Sequence, residues 1–326
     1  MISIKLASIG LAAALTAILP AMPAQAAGVA RTFLSAAGND SNNCANVMTP
    51  CRHLAAAYAA TAPNGEIYVL DPANYGSLTI TGPVSIEGHG WASIAPASGG
   101  NAITINANSG DAINIIGVVL DGTALAGTNG IVFNSGGSLT VADSVVRNFN
   151  NNGSFTTGNG ILMRPSSGTV SFVIKNTIVS NNGAVGVYYV PPSRSSATAN
   201  VVIDHVVATN NIYGIAINTA VGGGGSTTVV MSNDVASNND SYGIYIQNGS
   251  AALAVSIDNT SVSGNTEGIF ASGTSNVLLG RSVITANGDA GIQNATNPNT
   301  FYSYQDNRIN GNGTDIEGAM NSHALQ

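Results

Sequence analysis

Val201-Val-Ile203-Asp-His-Val-Val-Ala-Thr-Asn-Asn211-Ile-Tyr-Gly214-Ile215 is one copy of a phrase that recurs along the second half of the chain: an apolar stretch, then Asn, a few residues, and Gly before an aliphatic residue. Other copies set Asn182 before Gly186-Val187, Asn239 before Gly243-Ile244, Asn265 before Gly268-Ile269 and Asn287 before Gly291-Ile292. The Asn-to-Asn steps are 29, 28, 26 and 22 residues. A period of about 20–30 residues signals stacked units rather than one globular core. Units rich in Val and Ile and punctuated by Asn and Gly are strand coils. The sequence therefore predicts an all-β solenoid.

Asn suits each turn for two reasons. It tolerates the left-handed conformation better than most residues. Its amide both donates and accepts, so stacked copies can bond to one another up the solenoid. The column Asn182, Asn211, Asn239, Asn265, Asn287, continuing to Asn312, is expected to be structural.

The chain has 326 residues, and its start reads as a targeting segment. Lys5 precedes an apolar run over residues 6–19, too short for a span of about 20 residues. Pro20, Pro23 and the small-x-small tripeptide Ala24-Gln25-Ala26 follow. Residues 1–26 are expected to be a secretory signal peptide, and the mature protein to be secreted or periplasmic. No later segment is long and apolar enough to span a bilayer. Charged residues are 8% of the chain, against about 25% in an ordinary domain, and the net charge is −7. After Lys5 the only lysine is Lys175 and the arginines are scattered, so nucleic acid is not an expected partner. Cys44 and Cys51 are the only cysteines, and export to an oxidising compartment predicts a disulfide between them.

Residues 27–65 read as a strand, a disulfide loop and an alanine-rich helix, His53-Leu-Ala-Ala-Ala-Tyr-Ala-Ala60, placed to cap the exposed end of the core. Coils fill residues 66–316. The tail, residues 317–326, carries no strand pattern. Polar insertions at 148–159, 190–196 and 221–226 interrupt the rhythm, and insertions between coils often mark the working face.

The repeat resembles that of right-handed parallel β-helix proteins of the pectate-lyase-like superfamily. The opening resembles their secreted members through Gly38-Asn-Asp40, Pro50 before the short helix, Gly65-Glu-Ile-Tyr-Val-Leu-Asp-Pro72, Tyr75-Gly76 and Val84-Ser-Ile-Glu-Gly-His-Gly90. The resemblance implies a right-handed parallel β-helix. Several such families act on uronate-rich polysaccharides. Their lyases use an Arg or Lys base and Ca²⁺ held by carboxylates, and their hydrolases use grouped Asp residues. Here no complete constellation of either kind is present, and no cofactor is evident. Ca²⁺ is expected only if the protein is a lyase.

Ile203-Asp204-His205 echoes a segment of pectate lyases, making Asp204, His205 and Lys175 the catalytic candidates. In the repeat register Lys175, Asp204, Ser232, Asp258 and Gly280 form one column, in which Lys175 is expected to pair with Asp204. The next column is Asn176, His205, Asn233, Asn259, Arg281 and Asp306, where recurring charge implies solvent contact. A third column, two residues after each repeat Gly, reads Leu162, Tyr188, Ala216, Tyr245, Phe270 and Gln293. By the period-two rule it faces out. Tyr188, Tyr245 and Phe270 are thus candidate sugar-stacking residues, with Ala216 as a gap and Arg194 as the cation for an acidic sugar. The expected function is non-catalytic binding of an acidic polysaccharide or a cell-surface role, with a polysaccharide or cell-surface glycan as the partner. The alternatives are a polysaccharide lyase or hydrolase, and an adhesin or structural stalk.

Overall fold

The computed structural model describes residues 28–123, 127–222, 225–249, 251–296 and 300–324. The signal peptide expected over residues 1–26 lies outside them. The fold is the all-β parallel solenoid that the period demanded. One coil supplies the strands Thr198–Asp204, Val207–Thr209 and Tyr213–Asn218, and the next supplies Thr227–Ser232, Val235–Ser237 and Tyr242–Gln247. Each strand pairs in parallel with its counterpart one coil on. The first two strands of each coil join a 20-stranded sheet, and the third stacks in a separate 10-stranded sheet.

Stacking in register turns the repeat into columns. Val201, Val229, Val255, Val277 and Phe301 align, as do Ile215, Ile244, Ile269 and Ile292. All are buried, in one core cluster that extends from Leu34 to Phe301. Each such side chain contributes about 1.5–3 kcal/mol by leaving water. Val202 and Val230, between buried neighbours, are exposed, as strand alternation requires.

The Asn column is the expected ladder, buried from Asn182 to Asn287. The side-chain amide of Asn182 donates to Oδ1 of Asn211 at 3.0 Å, and the pattern repeats from Asn211 to Asn239, Asn239 to Asn265, Asn265 to Asn287 and Asn287 to Asn312. The left-handed residues, however, are not the ladder residues. They stand one position earlier, at Asn181, Asn210, Asn238, Gly264 and Ala286. The ladder Asn is selected for its amide, and the tight turn falls on its neighbour. A second ladder, which the sequence repeat does not announce, joins Asn159 to Asn129 at 3.0 Å and Asn129 to Asn101 at 2.9 Å.

The helix Leu54–Ala60 lies between the strands Val29–Leu34 and Thr61–Val69 and buries Leu54 and Ala57 against the core. Cys44 and Cys51 are disulfide-bonded beside it. Among the described residues no helix is long and apolar enough to cross a membrane. The tail, read as patternless, instead returns a short strand, Asn321–Ser322, which pairs with Phe301–Ser303.

Candidate functional site

The column of Leu162, Tyr188, Ala216, Tyr245, Phe270 and Gln293 holds in register: its members are paired position by position across the 10-stranded sheet. Ile215, Ile217, Ile244 and Ile246 beside it point into the core. Tyr245 and Phe270 stack with centroids 5.1 Å apart and planes 10° from parallel.

The gap expected at Ala216 is not there. Tyr213, one coil before Tyr245, stacks on it at 5.2 Å. Tyr213 also meets Phe155 at 5.1 Å and Tyr242 at 4.9 Å, and Tyr242 meets Phe270 at 5.3 Å. Phe155, Tyr213, Tyr242, Tyr245 and Phe270 thus form one unbroken aromatic strip across neighbouring coils. Beneath it Ala184, Val185 and Ala216 form a small buried cluster, separate from the main core, on which Tyr188, Tyr213 and Tyr245 pack. Ala216 is small because rings from both sides close over it. Burial pushes the Tyr245 hydroxyl up to about 12, with the neighbouring tyrosines adding to the effect. Its hydroxyl donates to Gln247 Oε1 at 2.8 Å.

At one end of the strip the three insertions converge. A cavity of about 290 Å³ is lined by Phe155 from the first, Pro191 and Pro192 from the second, Val221 from the third, and by Tyr188 and Arg164. Arg164 follows the strand Asn159–Met163 and is half-buried. Among the described residues its guanidinium makes no ion pair or hydrogen bond. Arg194 is exposed, at a left-handed turn, φ 66°, and does not line the cavity. At the strip's other end Glu267 follows Tyr242 in register. Burial raises its carboxyl, and Asp289 and Glu317 raise it further.

The catalytic candidates lie on the other sheet. Lys175, Asp204, Ser232, Asp258 and Gly280 align there as the register implied. The expected Lys175–Asp204 pair does not form among the described residues. Asp204 takes hydrogen bonds from Ser232 at 2.7 Å and Asn233 at 2.8 Å, and its other oxygen meets His205 Nδ1 at 2.9 Å. These short side chains on the adjacent coil and neighbouring turn reach the carboxylate without the entropy cost of fixing a lysine. Asn233, His205 and Ser232 together hold Asp204 down to about 2. Asp258 pairs with Arg281, which holds its carboxyl low.

The column containing His205 is a turn: Asn176, His205, Asn233, Asn259 and Arg281 all have φ between 47° and 58°. His205 therefore occupies a position the backbone fills mostly with Asn. Among the described residues no group of three or more His, Cys, Asp or Glu side chains stands close enough to hold a metal ion. Asp204 and Asp258 stand two coils apart in register, about 9–10 Å at the usual spacing, and each is held by protein donors.

No family model and no curated protein matches the sequence. Among solved structures, pectate lyase Pel9A superposes with a TM-score of 0.51 at 16% identity, over 92% of this chain and 80% of that one. The A-modules of the Azotobacter vinelandii mannuronan C-5 epimerases AlgE6 and AlgE4 give TM-scores of 0.39 and 0.37 at 12% and 13% identity, each over 80% of this chain and over 88% and 89% of theirs. At such identities the likeness is one of fold: the chain shares a parallel β-helix architecture with that pectate lyase.

Proposed function

We propose that the protein is exported and binds an acidic polysaccharide, without cleaving it, across the outer face of the 10-stranded sheet. The observation that carries this reading is the continuous strip of Phe155, Tyr213, Tyr242, Tyr245 and Phe270. Aromatic rings repeated from coil to coil match an extended polymer better than a single sugar. Coils stack about 4.8 Å apart, so the strip offers repeated apolar contact along the solenoid. The pectate acted on by a protein of like fold agrees with a glycan partner. In this reading the coil is right-handed, the helix Leu54–Ala60 caps it, and nucleic acid plays no part.

Affinity electrophoresis against a polysaccharide panel tests the reading. The wild type is expected to be retarded by at least one acidic polymer, and Tyr242→Ala and Tyr245→Ala to run faster while keeping the wild-type circular dichroism. Retardation unchanged in both variants would leave the strip as sheet packing alone.

A catalytic reading has one observation in its favour. A groove on the 20-stranded sheet, lined by Val230, Ser256, Asp258, Arg281 and Tyr304, lies on the face that bears Asp204. Product release from the same polymers decides between the two: cleavage that survives Tyr242→Ala but not Asp258→Asn would favour the lyase or hydrolase.

A further inference from the structure

The aromatic face is electrically asymmetric. Arg164 stands at one end, in the cavity closed by the three insertions. Glu267, Asp289 and Glu317 stand at the other, near enough for the last two to raise the carboxyl of the first. Glu317 accepts a hydrogen bond from Gln293 at 3.0 Å, and Gln293 follows Phe270 in register. Between these poles the paired positions are Tyr188, Tyr213, Ala216, Tyr242, Tyr245 and Phe270, all uncharged. Four strand steps separate Asn159–Met163 from Glu267–Gly273, about 19 Å at the usual spacing.

A uniformly anionic polymer laid along this strip meets three carboxylates at its far end. Glu267 stands three residues before Phe270 on its strand and Glu317 two strands on in register, each about 10 Å away at the usual spacings, close to the Debye length of about 8 Å at physiological salt, so part of the repulsion persists. A wholly neutral polymer leaves Arg164 without a partner. The cavity suits one planar anion: Phe155, Pro191, Pro192 and Val221 among its walls lower the local dielectric and strengthen a charge pair, while Ser154, Thr156 and Ser193 add hydroxyl groups. A guanidinium presents two parallel donors to a carboxylate or sulfate.

We propose that this face selects a polysaccharide with sparse acidic groups, one anion seated on Arg164 in the cavity and neutral sugar units covering the rings toward Glu267. The inference rests on the polysaccharide-binding reading. It assigns Arg164, rather than Arg194, as the residue that sets charge preference.

The test uses galacturonan, alginate and xylan-type glucuronan backbones, each with carboxyls free, fully esterified, or mostly esterified with a minority left free. The wild type is expected to bind the sparsely charged form of a recognised backbone most tightly. Arg164→Gln should weaken that form about tenfold, to the level of the neutral one, while leaving the neutral form unchanged. Arg164→Lys should retain part of the preference, which excludes a folding defect at the site. Glu267→Gln should improve binding of the densely charged form. Tightest binding of the dense form by the wild type, or an undiminished preference in Arg164→Gln, overturns the proposal. If neutral and sparse forms bind alike and the tyrosine variants weaken both, polysaccharide binding stands and this inference falls. If no form of any backbone is retarded, both fall together.

Discussion

The Oδ1 atom of Asn239 accepts two hydrogen bonds from Asn211, one from its backbone N–H at 3.1 Å and one from its side-chain amide at 3.2 Å. The Asn239 amide in turn donates to Asn265 Oδ1 at 2.9 Å and to the Ala208 carbonyl at 3.2 Å. One buried side chain thus satisfies two backbone groups of the preceding coil and bonds to the ladder Asn of the coil on either side. Asn239→Leu keeps the volume and removes every one of these bonds. Each orphaned buried group costs about 1–3 kcal/mol, so a loss of about 2–4 kcal/mol is expected in urea denaturation. An unchanged midpoint would refute the structural role of the ladder.

Gly214 is held to glycine by the same ladder. A Cβ built there would lie 2.6 Å from the Gly243 carbonyl oxygen and 2.8 Å from the Asn239 amide nitrogen. The next coil's backbone cannot yield without breaking its own pairing. Gly214→Ala is expected to cost about 1–3 kcal/mol through overpacking. Because one clashing atom belongs to Asn239, the two substitutions should combine less than additively. Strict additivity would show that the glycine and the ladder act independently.

The bond between Cys44 and Cys51 is expected to be present in the protein as purified from an oxidising compartment. Both residues are fully buried. Alkylation after unfolding without reductant should add no mass, and alkylation after reduction should add two adducts. Closing so short a loop stabilises by about 2 kcal/mol on the chain-entropy account, and Cys44→Ser with Cys51→Ser should lower stability by that order. Two adducts without reductant would remove the bond from the native structure.

Much of the fold is legible in the sequence because the solenoid repeats its local rules. Asn211 and Asn239 can be matched by spacing alone, and matching them places Tyr188, Tyr245 and Phe270 in one column. Tyr213 and Tyr242 escape that matching because they stand before the repeat Gly, where the chain leaves the turn. Period-two alternation does not govern such a position, and counting back from Ile215 points Tyr213 inward. The only local signal is the triplet Tyr-Gly-Ile, which begins at Tyr213 and again at Tyr242. Arg164 carries no signal at all. Its cavity exists only because loops from three different coils meet, a relation between residues as distant as Phe155 and Val221 that no local pattern encodes. The expectation for Lys175 fails for another reason. Its register with Asp204 is right, but register fixes which residues are neighbours and not which of several donors takes the carboxylate.

Asp234 provides the pH dependence. It immediately precedes the strand Val235–Ser237, and the register of that strand places Thr177 and Val206 at the same position in coils on one side, and Thr260 and Ser282 on the other. The hydroxyls of Thr177, Thr260 and Ser282 each donate to the carbonyl two residues back, at 2.7, 3.0 and 2.8 Å. Asp234 is buried at 1% exposure; one carboxyl oxygen accepts the Val206 N–H at 2.8 Å and the other has no partner. Burial pushes its carboxyl up to about 8, with the Asp204 charge adding to the effect. Unfolded, the group titrates near 3.8. Below that pH both states hold the proton and its contribution is at its most favourable. Between about 4 and 8 the folded chain keeps a proton that the unfolded chain has lost, so stability falls as pH rises, at up to about 1.4 kcal/mol per pH unit. Above about 8 the contribution is flat at its least favourable. Asp234→Asn keeps the acceptor and removes the charge. Its stability relative to wild type is therefore expected to rise by a few kcal/mol from about pH 4 to about pH 8 and then level off, measured as urea midpoints across that range. A difference between the two proteins that stays constant with pH would mean that Asp234 is ionised in the fold, and that its unpartnered oxygen is satisfied by some other donor.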